Sequence, residues 1–198
     1  PILLPYKRYA PWVNVGGADR GLLRTGVARG DYAMNGGDAA GGSDVNGVPG
    51  VQCGPDFGPG SYEEGDAEDE WPHTLQSCNG VALQRIGVEF QHIQDGASNT
   101  YLLGEKYLDP QEYETGDAWG DDACDDTGVD EENMQWADDF PAQDQLGQQA
   151  PEIWGSAHPG VFHMVMCDGS VHSMNFDIDL VAHRKLANRS DGLSVALD

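Results

Sequence analysis

Basic residues are what this sequence has least of: 10 Lys plus Arg stand against 34 Asp plus Glu in 198 residues, a formal net charge of -24. So acidic a chain repels polyanions at long range, which excludes nucleic acid as a partner class. No run approaches the roughly 18 consecutive apolar residues of a membrane-spanning helix, and no basic amphipathic stretch suits a membrane surface. The GxSxG nucleophile elbow, a phosphate-cradling Gly-Lys-Ser/Thr loop and GxGxxG are all missing, so hydrolysis and nucleotide binding have no motif behind them. Cys53, Cys78, Cys124 and Cys167 form no CxxC pair, which argues against a zinc ribbon or a thioredoxin-like centre. There is no internal repeat.

What is present suits one β-rich domain. A hydrophobic content of 39% with five Trp and seven Tyr can build a core, and 27 Gly with 11 Pro imply many turns. Residues 1–29, broken by Pro5 and Pro11, read as extended segments joined by turns. Residues 30–60, rich in Gly, Asp and Asn, read as loop rather than core. Two acidic excursions follow, about 54–77 and 109–150. Residues 109–144 hold fourteen acidic side chains and no Lys or Arg, so self-repulsion opposes packing there. Between them, alternation at Ile86, Val88 and Phe90 predicts a strand, Asp95-Gly96 a turn, and residues 98–108 a second strand.

The C-terminal third has the clearest local geometry. Residues 161–167 and 170–176 are β-prone around Asp168-Gly169, a preferred two-residue turn, which predicts a hairpin. That turn would set Cys167 opposite Ser170, Val165 opposite His172 and His163 opposite Met174, with His163, Cys167 and His172 on one face. A transition metal would fit there; histidines that merely hydrogen-bond are the plainer reading. Asp177 is positioned to cap a helix over about 179–188, stopped by Asp191-Gly192.

Two readings stand for the second acidic excursion: a solvated surface adapted to high salt, and a calcium site built from Asp121, Asp122, Asp125, Asp126, Asp130, Glu131 and Glu132. Four cysteines at long spacing suit two disulfides in an oxidising compartment, with Cys53–Cys78 and Cys124–Cys167 the pairing that would tie down both excursions. A start at Pro1 without a signal peptide predicts a beginning inside a longer protein.

The segment GSAHPGVFHMVMCDGSVHSM holds His158, nine residues, then Asp168-Gly169. IQDGASNTYLLGEKYL holds Asp95, Gly96, Ser98, Asn99 and Thr100, then Gly104, Glu105 and Lys106. A shorter stretch, RGDYAMNGGD, offers Tyr32, Asn35 and Gly36. In this order the blocks resemble a large bacterial family of pilin-like secreted proteins of unknown function, named for its His, nine-residue, Asp-Gly motif. The resemblance implies an α+β, β-rich fold: an antiparallel sheet in a pilin-like head, with long acidic loops and a short C-terminal helix, as one domain over residues 1–198. It also implies a hydrophobic N-terminal helix, similar to those of type IV pilins and type II secretion pseudopilins, which this chain lacks. Any membrane attachment would run through that helix.

The function so implied is a noncatalytic extracellular assembly subunit that packs with itself or with other envelope subunits. A calcium-dependent module binding carbohydrate or protein through Trp119, Trp136 and Trp154 is the alternative. A secreted hydrolase, which predicts a pocket at His158 with a perturbed carboxyl, is the third. Within the motifs the turns are structural, Asn99 and Thr100 satisfy backbone groups, and His158 docks on the adjoining strand or on a carboxylate such as Glu105. His158, Asp168 and Glu105 as a ligand pocket is the functional counterpart.

Overall fold

The computed structural model describes residues 30–38, 74–83, 86–114, 118, 120–121, 133–150, 153–193 and 195. Five strands make one mixed sheet: β1 (Tyr32–Gly37), β2 (Tyr101–Glu105), β3 (Met134–Trp136), β6 (Val161–Met166) and β7 (Val171–Asn175). Their spatial order is β3-β1-β2-β6-β7. All neighbours run antiparallel except β1 and β3, which are parallel. The short β4 (Ala142–Gln143) and β5 (Gly155–Ser156) pair separately, and a lone bridge joins Lys106 to Trp154. Among the described residues one α-helix, α1 (Leu180–Ala187), follows the sheet.

The β6–β7 hairpin forms, but its register differs from the expected one. Met166 N–H donates to Ser170 O at 2.8 Å and Gly169 N–H to Met166 O at 2.9 Å. The bend is therefore the three residues Cys167, Asp168 and Gly169, with Gly169 at φ +87°, a left-handed position that glycine fills without strain. Val165 then faces Val171, Met164 faces His172, and His163 faces Ser173. A slip of one residue reverses faces. His172 and Met174 join Phe162, Met164 and Met166 on the core side, while His163 stays on the other, so the predicted site of His163, His172 and Cys167 does not assemble.

The core lies between the sheet and α1. Phe162, Met164, Met166, Met174, Tyr101, Ala33, Trp154, Ala137, Leu186 and Ala187 are buried together. The helix is capped by Asp179, not Asp177: its Oδ1 accepts from Ala182 N at 3.0 Å. It buries His183, Leu186 and Ala187, leaves Val181 exposed, and ends at Asn188. Fully buried Asn35 fastens this helix end to the sheet, donating from Nδ2 to Tyr101 O (2.9 Å) and Ala187 O (2.8 Å).

Three further expectations change. Residues 32–37, read as loop, are an interior strand; a Cβ on Gly36 would lie 2.6 Å from Trp136 Nε1, so glycine is there for close packing. The acidic segment, expected to pack poorly, contributes β3, all three residues of which are buried. The strand predicted over Ile86, Val88 and Phe90 is absent. Ile86 and Val88 pack against Cys78 and Leu83, and Phe90–His92 is a 3-10 turn with Phe90 exposed. Both edges of neighbouring β2 are already taken by β1 and β6, so that stretch cannot join the sheet beside β2.

Candidate functional site

Strand pairing places a polar cluster on the face opposite the core. Tyr32 lies opposite Glu105, and His163 opposite Ser173. Glu105 closes β2 with its side chain only 11% exposed, and three donors converge on its carboxylate. His163 gives both its backbone N–H (2.7 Å) and Nδ1 (3.0 Å) to Oε2; His158 Nε2 meets Oε1 at 3.1 Å. The two imidazoles stand edge-to-face, centroids 4.9 Å apart. A ring nitrogen facing Glu105 donates to it when it carries the imidazole proton.

The loop carrying His158 is held from below. Ser156 Oγ donates to Val161 O (2.8 Å) and accepts from His158 N (3.0 Å), so the 156–161 connection is shaped before any ligand arrives. Beside the cluster opens a cavity of about 240 Å³, lined by Asp31, Glu105, Tyr113, Asp144, Ser156 and His158 among others. Burial raises the Asp144 carboxyl above the usual range, against hydrogen bonds from Tyr113 and Leu108 N that lower it; the charges of Asp31 and Glu105 raise it further. Lys106, buried at the rim, turns to Gly120 O (2.8 Å) and Asp121 (3.3 Å).

The docking predicted for His158 on Glu105 is present, and His163 is the partner that the sequence reading left out of it. Asp168 is not part of this group. It sits exposed at the hairpin bend, where the Ser170 side chain and then its N–H hold its carboxyl below the usual range. The two Asp-Gly motifs instead meet each other: Cys167 N donates to Thr100 O (2.9 Å) and Asp168 N to Ala97 O (3.0 Å). Asn99 Nδ2 and Thr100 Oγ1 satisfy the carbonyls of Asp95 and Gly96, as expected of them. Asp95 reaches past α1 to accept from Asp191 N (2.8 Å) and Gly192 N (2.7 Å).

Of the acidic calcium set, Asp121 is buried and paired with Lys106; Asp122, Asp125, Asp126, Asp130, Glu131 and Glu132 lie outside the described residues. Trp136 and Trp154 are buried in the interior and offer no stacking surface, and Trp119 lies outside the described residues. Cys78 is disulfide-bonded, while Cys53 and Cys124 lie outside the described residues. Cys167 is a free thiol, so its expected bridge to Cys124 is not formed. Burial, then the charge of Asp168, pushes that thiol up to about 11.

A protein family described as "Protein of unknown function (DUF1559)", SBP_bac_10, matches residues 34–180, and the chain belongs to it. No curated protein and no solved structure matches the chain.

Proposed function

We propose that this domain is a noncatalytic, extracellular, pilin-like assembly module, which packs through the outer face of its sheet against another subunit. One observation carries the reading. Met34, Leu103, Val165 and Val171 lie side by side across four consecutive strands, paired residue to residue, and form an apolar row on the face away from the core. Met34 is 45% and Val171 63% exposed, so the row is open to solvent at these two positions. Buried β-sheet faces look like this; solvated ones alternate toward polar residues.

The high negative charge complements that role. Like-charged subunits stay apart in dilute solution and pack only where an apolar contact outweighs repulsion, which salt weakens. Assembly should therefore rise with ionic strength. Sedimentation velocity over a salt series, with negative-stain imaging, tests this on the wild-type chain and on Val171→Lys, whose exposed position leaves the fold intact. Self-association that grows with salt and disappears in Val171→Lys is the expected result. A species that stays monomeric at every salt and protein concentration, or an assembly indifferent to the lysine, defeats the proposal.

A further inference from the structure

We propose that Glu105, His158 and His163 form a binding site for one first-row divalent cation of the zinc class. The three side chains come from different places, the end of β2, the 156–161 loop and β6, yet each offers one ligand atom and all these atoms lie within 4.8 Å of one another. Two imidazole nitrogens with one carboxylate is a zinc, cobalt or nickel donor set; calcium takes oxygen almost exclusively.

The geometry needs little change to admit the ion. His163 Nδ1 lies 3.0 Å from Oε2 and His158 Nε2 3.1 Å from Oε1, each close to the roughly 3.3 Å between ligands that bond a tetrahedral zinc at about 2.0–2.1 Å, and one ligand atom from each of the three residues lies within 4.8 Å of the others. The ion takes the place of any proton on the two ring nitrogens that face Glu105, and each imidazole ligates in its neutral form with its N–H on the other ring nitrogen. The supporting contacts are already in place: His163 N–H fixes Oε2, and Ser156 holds the His158 loop through Val161 O. The imidazoles are 52% and 38% exposed, which gives the ion a way in. His158 and Glu105 both line the acidic cavity, so a fourth position opens toward it and takes water. There Asp31, Asp144 and Glu105 crowd negative charge together, and a dication relieves that crowding.

The test uses untagged, chelator-treated protein titrated calorimetrically with zinc chloride, and with cobalt chloride read by visible absorption, in excess calcium to occupy nonspecific acidic sites. The comparison variants are His158→Ala, His163→Ala and the double variant, with thermal unfolding in metal-free buffer verifying that each still folds. One equivalent should bind with a tetrahedral cobalt spectrum and raise the unfolding temperature. Each single variant should weaken binding by about tenfold or more, and the double variant should lose the spectrum. Absence of binding at micromolar metal, or a wild-type stoichiometry and spectrum in the folded double variant, overturns the proposal. His158→Ala is decisive if His163→Ala fails to fold, because His158 lies on a half-exposed loop.

Discussion

Acid should unfold this domain partly through one histidine. His183, on the buried side of α1, is enclosed by Tyr101 and Phe162, its Nδ1 3.3 Å from the Tyr101 hydroxyl and its Nε2 without a partner among the described residues. Burial lowers its pKa to about 3. In the unfolded chain the ring titrates near 6.5, so between these values the unfolded state binds more protons and stability falls with pH. The contribution is complete above about pH 6.5 and disappears as pH drops through 3. In full it amounts to about 5 kcal/mol, and by pH 4.5 about 2.7 kcal/mol of it is lost. Urea unfolding of wild type and His183→Leu at pH 7.0 and 4.5 isolates the effect, because every other titrating group is common to both. The stability difference between the two proteins should shift by about 2.7 kcal/mol toward the variant at the lower pH. Parallel losses in the two proteins would refute the assignment, whatever the variant's offset at neutral pH.

Asn35→Ala removes both donors that join Tyr101 O to Ala187 O, together with the acceptor for Gly37 N (2.9 Å). At about 1–3 kcal/mol per orphaned buried group, the loss of three partners should cost at least about 3 kcal/mol, read as a lower urea midpoint with an unchanged slope. An effect below 1 kcal/mol would mean that water replaces the side chain. Cys167, half-buried beside Asp168 and held near Tyr101 O at 3.5 Å, should alkylate at pH 8 at least about tenfold more slowly than in urea. Equal rates would show that the thiol is open to solvent.

Elements fixed by local chemistry were legible in the sequence, and those fixed by a distant partner were not. The hairpin bend and the C-terminal helix follow from Asp168-Gly169 and from an Asp before a helical stretch, although the bend takes three residues and the cap is Asp179. That single residue of slip was invisible locally, since both loop lengths suit the dipeptide, and it decides which histidines share a face. β1 was hidden because Asn-Gly-Gly is turn chemistry until Trp136 is packed over it. β3 was hidden by averaging: Met134, Gln135 and Trp136 are a short buried run inside an acidic stretch. The contact of His158 with Glu105 could be named from the two motifs. Bringing His163 to the same carboxylate needed the β2–β6 register, in which Leu103 faces Val165 and places Glu105 beside His163.

Arg189, buried just beyond α1, gives its guanidinium to the carbonyls of Leu75, Cys78 and Gly80, while its own carbonyl accepts from Gln94 N and Asp95 N. Two loops roughly a hundred residues upstream thus depend on one late-synthesised side chain and its peptide group. Until residue 189 has emerged from the ribosome, or from any channel the chain threads, those loops lack their anchor. The domain should then stay pliable until that residue is available and lock into its native form only afterwards.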